Sequence, residues 1–435
     1  MAAKGFVVLS MGFVLALSGC GATNDNASTK QPEGNEMSKK IEITEPVTVK
    51  IQVSPNYLTE DQVKQYIGDP TKKKYPNISV EVLNFAPNLK SLQDMLAKGE
   101  KSDMLVTSSV VMDPMRTVGL AMNIEPLIKA ANIDLGRYEP GSLQAVKTAS
   151  GGEYLSALPY ANNLNALFYN KDIFDKFGVS YPKDGMTWDD AAELAKKVTR
   201  NEGGVQYHGL HPDSTYRPAG QMGIGFVDPK TMKAALNTDK WKRVFEELIK
   251  IYSIPGNEYV AAGPAFTMFT KDKTLAMFAS FNRMGQIEQT PGVNWDMASY
   301  PTFPERPGKG LNYDLHTLAI TSNSEHKEAA ALVLSVFASD EVQLDLARDG
   351  KGPVLKDEKL RQQFGQNLPY LKGKNVGALF KVSSTDNFPP TEFDNQASGL
   401  INGKISTMVF KDKVDINTAL RQADEELNQI IAENK

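Results

Sequence analysis

Residues 158–174 read LPYANNLNALFYNKDIF. Pro159 closes one segment, and Tyr160, Asn162, Asn163 and Asn165, all able to hydrogen-bond, follow it. Then comes the apolar run Leu167, Phe168 and Tyr169, with a helix start at Lys171 and Asp172. An amide-rich turn set against an apolar run suits a chain crossing between two lobes that also touches a ligand. The whole chain has 435 residues, which predicts two domains or one large two-lobed body.

Upstream of that stretch, residues 47–53 (VTVKIQV) and 78–82 (ISVEV) alternate apolar and polar, the pattern of strands with one buried face. Residues 103–107 (DMLVT) form a third, shorter strand, and helical segments are expected at 61–67 and 89–96. Strands alternating with helices predict an α/β layer with a parallel sheet. Ligands gather at the carboxyl ends of such strands, which here are the polar turns at 54–57 and 107–109. An amphipathic stretch covers 120–131, with Ile124, Leu127 and Ile128 on one face.

Downstream, Thr187 and Asp190 form a capping box ahead of a helix whose buried side carries Trp188, Ala191, Ala195 and Val198. Residues 203–226 read as an aromatic loop. Residues 238–252 read as a helix with Trp241, Val244, Phe245, Leu248, Ile249 and Tyr252 on one face. Strands are expected at 273–280, 296–300 and 315–321, with Ser322 and Glu325 capping the helix that follows. A last helix places Ile416, Ala419, Leu420, Ala423, Leu427 and Ile431 together.

The amino-terminal segment has a different character. Lys4 precedes an apolar run over 5–17, too short for an ordinary membrane span. Leu17, Ser18, Gly19 and Cys20 then resemble a bacterial lipobox, and Cys20 is the single cysteine of the chain. The expectation is a signal peptide over 1–19, lipidation of Cys20, and a flexible tether over 20–45 rich in Asn, Ser, Thr, Lys and Glu.

The formal net charge of −4 gives no basic excess for phosphate backbones, so a nucleic-acid partner is not expected. Nucleophile elbow, zinc-protease helix, P-loop and dinucleotide fingerprints are absent from the sequence. Ser180 with Lys183, and Ser324 with Lys327, match only a two-residue core of a β-lactamase-type motif. His208, His211 and Asp213 lack a diagnostic metal spacing. The reading is therefore no catalytic residues, no metal and no cofactor. Loops mixing aromatic and polar residues recur at 54–57, 107–109, 160–165, 214–217, 281–283, 312–316 and 388–393. That mixture suits a sugar, which presents flat apolar faces and many hydroxyls.

The lipobox and the stretches LPYANNLNALFYNKDIF, TWDDAAELAKKV, KTLAMFASFNRM, GKGPVL and INTALRQADEELNQIIAEN resemble, in order, the family 1 extracellular solute-binding proteins. The resemblance implies an α/β, two-lobed periplasmic-binding-protein-like clamshell with several interlobe crossings. It divides the chain into 46–161 with 316–352 as lobe 1, and 162–315 with 353–435 as lobe 2. It implies a monomer anchored by lipid on the extracellular face of the cell membrane. Such a protein captures a mono- or oligosaccharide by hinge closure and hands it to ABC permease subunits. A non-sugar ligand (an anion, a metal complex or a vitamin) and a surface polysaccharide-degrading enzyme are the alternatives. Ligand contacts are expected at Asn56, Tyr57, Ser108, Ser109, Tyr160, Asn162, Ser214, Tyr216, Phe281, Asn282, Arg283, Tyr313, Asp314, His316 and Phe393. Sugar-binding members place aromatic platforms where Phe281 and Phe393 lie. Their tryptophan is replaced by Phe281 here, and Asn162 and Asn163 stand where a carboxylate is usual, which leaves the sugar itself open.

Overall fold

A computed structural model describes residues 41–434 apart from 85 and 87. The signal peptide, Cys20 and the tether as far as residue 40 lie outside the described residues. The strands, in chain order, are β1 Val47–Val53, β2 Ile78–Asn84, β3 Met104–Ser108, β4 Ala157–Asn162, β5 Asn165–Asn170, β6 Arg200–Glu202 and β7 Val205–His211. They continue with β8 Val227–Asp228, β9 Lys233–Ala234, β10 Leu275–Phe281, β11 Trp295–Ser299, β12 Lys309–Asn312, β13 Leu315–Ile320 and β14 Ser383–Thr385.

Two five-stranded sheets organise these elements, one in the order β2-β1-β3-β13-β4 and the other β11-β5-β10-β7-β6. In the first, β1 pairs parallel with β2 and β3, as the βαβ pattern requires. The sheet is nonetheless mixed, because β13 runs antiparallel between β3 and β4. Its direction follows from its origin: β13 enters from the second sheet's side, at the edge where β1, β3 and β4 end. In the second sheet β10 is parallel to β7 and antiparallel to β5.

Each sheet has its own core. The first gathers Val49, Ile51, Val106, Leu158, Leu318, Leu334 and Phe337, and runs on through Val354, Leu355 and Leu360. The expected boundary at residue 352 therefore shifts, because Leu355 bridges to Tyr138 and stays with the first body. The expected tether also ends earlier than residue 45. Ile41 is part of the first core, and Asn77 donates to the Ile43 and Thr44 carbonyls. The second core gathers Leu167, Phe174, Trp188, Trp241, Phe245, Leu420 and Leu427, and a third cluster around Phe168, Phe278 and Trp295 covers the other face of the same sheet.

Local expectations meet the structure unevenly. The capping box is formed: Asp190 N–H donates to Thr187 Oγ1 at 3.1 Å and Thr187 N–H to the Asp190 carboxylate at 2.9 Å. The helix Asp239–Tyr252, capped by Thr238, buries Trp241, Val244, Phe245, Leu248 and Tyr252. The loop expected over 203–226 instead holds β7 and the helix Tyr216–Gln221, because sheet pairing and core contacts override its glycine-rich, polar composition. The helix Lys327–Phe337 starts later than Ser322 and Glu325 would place it. Ser322 Oγ donates to the Gly119 carbonyl and Glu325 pairs with Lys101, so neither caps. The amphipathic stretch over 120–131 shrinks to the helix Glu125–Ala130.

Candidate functional site

The opening stretch joins the two sheets. β4 ends at Asn162 in the first and β5 begins at Asn165 in the second. Two other crossings lie against it. Asn162 N–H donates to the Gly352 carbonyl at 2.8 Å, and Asn163 N–H to the Asp314 carbonyl at 2.8 Å. The Asn162 side chain straps the junction further: its Oδ1 accepts from Asp314 N–H at 3.2 Å and its Nδ2 donates to Ser384 Oγ at 3.0 Å. Asn163 Nδ2 donates to the Asp314 carboxylate at 3.1 Å. Asn162 thus has both side-chain polar atoms engaged at the junction, and Asp314 has one carboxylate oxygen engaged there.

On the first sheet, the edge facing this junction carries Tyr57, Ser108 and His316. The turn after β1 folds back through Tyr57 N–H to the Ser54 carbonyl, which brings the Tyr57 hydroxyl to 3.0 Å from Ser108 Oγ. The Tyr57 ring meets His316 edge to face at 5.0 Å, and His316 lies opposite Ser108 in the β3–β13 register. Burial pushes the His316 pKa down to about 4, against the pull of Asp314. The imidazole is therefore neutral near pH 7, and its Nδ1 is buried without a partner among the described residues. Burial also raises the Tyr57 pKa, so that phenol stays protonated.

On the second sheet, β7 and β10 end at the edge where β5 starts, with Phe281 opposite Asn165. Asp213, two residues beyond β7, adopts φ 64°, a left-handed conformation that Asp tolerates better than most residues. It turns the chain into the helix Tyr216–Gln221 and puts Arg217 four residues on, within reach. The Asp213 carboxylate is buried. It accepts from Arg217 Nε at 2.6 Å and from Ser280 Oγ at 2.8 Å, and Arg283 lies 3.8 Å away. Both guanidinium carbons rest against the Phe281 ring, 4.2 Å (Arg217) and 4.1 Å (Arg283) from its centroid. His211 holds the turn beneath: its Nδ1 accepts from Asp213 N–H at 3.1 Å, which leaves the proton on Nε2 to donate to the Val260 carbonyl at 3.0 Å. Both ring nitrogens are therefore spent on backbone groups. Among the described residues no group of three or more His, Cys, Asp or Glu is arranged to hold a metal ion.

A cavity of about 220 Å³ lies between residues of the two bodies. Ser109, Val110 and Ala149 line it from the first body; Tyr216, Phe226, Asn312, Asn387 and Phe388 line it from the other side. Val110 is 74% exposed, an apolar side chain turned outward at this lining. Phe388 packs edge to face on Phe226 at 6.2 Å. Gly225 makes room for it, since a Cβ there would sit 2.7 Å from the Phe388 ring. Ser214 Oγ and Asn387 Oδ1 are buried polar atoms without a partner among the described residues.

The expected contacts thus divide. Ser109 and Tyr216 line the cavity, and Tyr57, Ser108 and His316 form one cluster beside the junction. Phe281 and Arg283 meet in the arginine cluster, and Ser214 sits between Asp213 and that helix. Asn56 is exposed in the turn after β1, and Asn282 accepts from Met284 N–H to start a short helix. Tyr313 lines a separate cavity of about 320 Å³ with Glu139, Ser142 and Arg361. Two expected contacts are corrected. Tyr160 is 2% exposed in the first core against Phe337, and Phe393 is 2% exposed in the second core. The aromatic this loop gives the cavity is Phe388, five residues earlier, because the chain turns inward at the helix Asp394–Leu400 and buries Phe393. The sequence reading gives Asp213 only as a weak metal candidate and does not single out Val110; the Asp213–Arg217 pairing needs the helix that the loop reading leaves out.

Two α/β bodies joined by several chain crossings, with polar and aromatic side chains facing a cleft beside the junction, define a two-lobed solute-binding protein. The sequence pattern of the family described as bacterial extracellular solute-binding protein matches residues 55–344, and the chain belongs to that family. It is 24% identical over 326 residues to the sn-glycerol-3-phosphate-binding periplasmic protein UgpB of Rhizobium meliloti (strain 1021), covering 69% of this chain and 73% of that protein. The fold is that of the sugar transporter RHE_PF00321 from Rhizobium etli in an open conformation, with TM-score 0.70, 20% identity, and 88% of this chain and 99% of that chain covered. It is likewise that of the substrate-binding protein Lmo0181 from Listeria monocytogenes in complex with cycloalternan, with TM-score 0.68, 18% identity, and 89% and 100% covered.

Proposed function

We propose that this solute-binding protein captures a carbohydrate in the cleft beside the three crossings and delivers it to the membrane subunits of an ABC importer. The observation that carries this reading is the cleft lining: Tyr216 and Phe388 offer apolar ring surface, while Ser109, Asn312 and Asn387 offer hydroxyl and amide groups around it. Asn387 Oδ1, at this lining, is buried without a partner among the described residues and suits a polyol hydroxyl as donor. The sugar transporter from Rhizobium etli and the cycloalternan-bound protein share this fold, and UgpB is named for binding sn-glycerol-3-phosphate, a polyol phosphate. The two bodies act as lobes that move about residues 162–164, 312–315 and 352. Ligand held by one lobe favours closure only through its contacts with the second. No bond is made or broken, and the chain works as a monomer anchored by lipid on Cys20 at the extracellular face. Among the described residues no helix is long and apolar enough to cross a membrane.

The test is a thermal-shift and calorimetric screen of the full chain against mono- and oligosaccharides. Saturating ligand at 100 times its dissociation constant adds about 2.7 kcal/mol of stability. Phe388→Ala weakens carbohydrate binding about tenfold or more, beyond the roughly 1–2 kcal/mol of stability lost with its packing on Phe226, while the protein stays folded at the assay temperature. No response to any carbohydrate, alongside a clear response to peptides or metal complexes, defeats the reading.

A further inference from the structure

We infer that the captured solute carries an acidic group, a carboxylate or a phosphate ester, which docks on the guanidiniums of Arg217 and Arg283 at the cleft edge of the second sheet. The inference rests on the carbohydrate reading of the cleft. Its ground is an incompletely paired guanidinium in a nearly closed place. The two side chains are 17% and 21% exposed, and they share one buried carboxylate, Asp213. Asp213 commits Oδ2 to Arg217 Nε and Ser280 Oγ, and its other oxygen stands 3.8 Å from Arg283, beyond a hydrogen bond. Arg283 has one direct partner for its fork, the neutral Gln286 at 2.7 Å, and its Nε is buried without a partner among the described residues. Burial accordingly lowers the Arg283 pKa, with Asp213 opposing and Arg217 adding to the effect. Asp314 also acts on Arg217 from the hinge, with its carboxylate accepting from Asn163 Nδ2 at 3.1 Å.

Closure removes water from these cations, and a neutral hydroxyl cannot replace the lost hydration of a guanidinium as an oxyanion does. Both groups lie against the Phe281 ring, and a planar fork matches the two oxygens of a carboxylate or phosphate. Phe281 thereby becomes a support for cations, its ring surface taken by guanidinium groups, and the sugar-stacking role passes to Tyr216 and Phe388.

The experiment is isothermal titration of the full chain with matched panels: neutral mono- and oligosaccharides, the same sugars as uronates, and the same sugars as phosphate esters, with citrate as a non-carbohydrate acid. The expected result is that one acidic panel binds about tenfold or more tighter than its neutral parents. Arg217→Gln and Arg283→Gln each abolish that preference, and the winning panel tells carboxylate from phosphate. If leaving Asp213 unpaired prevents Arg217→Gln from folding, Asp213→Asn combined with Arg217→Gln removes both charges together, and the same loss of preference is expected. Neutral sugars binding as tightly as acidic ones overturn the inference while carbohydrate capture stands. Arginine-dependent binding of citrate, with silence from every sugar, overturns the carbohydrate reading and keeps the acidic group. Silence from all four panels overturns both.

Discussion

Asn162→Ala tests how the hinge is held. The side chain is 8% exposed and makes two contacts that cross between bodies or between crossings: Oδ1 accepts from Asp314 N–H at 3.2 Å, and Nδ2 donates to Ser384 Oγ at 3.0 Å. Each such bond contributes about 1 kcal/mol net. Truncation also leaves the Asp314 amide without its acceptor in a half-buried place, so the total expected loss is about 2–3 kcal/mol. The backbone bond from Asn162 N–H to the Gly352 carbonyl survives, which keeps the strand end in place. Asn162→Asp is the control. It retains the acceptor for Asp314 N–H, and the Ser384 hydroxyl can rotate to donate to it, but it brings a second carboxylate close to Asp314. Its loss should therefore be smaller at low pH, where the new carboxyl is protonated, and should grow as pH rises through the carboxylate range. Urea unfolding of the free protein at several pH values measures both. If Asn162→Ala unfolds within about 0.5 kcal/mol of wild type, the strap is not a stabilising element and the hinge is held by its backbone alone.

Two further predictions concern the second body. At Gly209 an added Cβ would stand 2.5 Å from the Ala195 carbonyl oxygen and 2.7 Å from Ala195 Cα, both backbone atoms of the helix Trp188–Val198. Gly209→Ala therefore forces that helix off the sheet and should cost about 1–3 kcal/mol in chemical denaturation; an unchanged midpoint contradicts the packing. His211 is buried and neutral, and burial pushes its pKa down to about 4 from an ordinary value near 6.5. The unfolded chain then binds more protons between those values, so stability is full above about pH 6.5 and falls as pH drops toward about 4, by on the order of 3 kcal/mol. His316, also pushed down to about 4, adds a like contribution, so His211→Gln should remove about half of that slope, measured by unfolding midpoint against pH, and an equally steep profile in the variant would assign the proton uptake elsewhere.

Much of the fold was legible from periodicity and capping chemistry. The helix behind Thr187, the helix Asp239–Tyr252 and the terminal helix Ile416–Glu433 have one apolar face each, and local hydrogen bonds mark the starts of all three. Strand ends at Ser54 and Ser108 were readable because apolar alternation stops there in polar turns. The segment over 203–226 was not readable. β7 and the helix Tyr216–Gln221 owe their form to the neighbours they pair with, β10 and the second core, and a local pattern carries no trace of those partners.

The sequence by itself determined the class. Alternating strands and helices sufficed for an α/β layer, because each signal is set by nearest neighbours along the chain, and the ordered resemblance of several stretches to the family 1 extracellular solute-binding proteins added the two lobes and the binding role. Only the tertiary structure decided which loop side chains reach the cleft. It put Phe388 at the cavity and Phe393 in the core, engaged Asn162 in the hinge, and gathered Asp213, Arg217, Phe281 and Arg283 into one cluster from segments almost seventy residues apart. Those outcomes depend on register and on where the chain turns between sheets, and such contacts arise from packing in three dimensions.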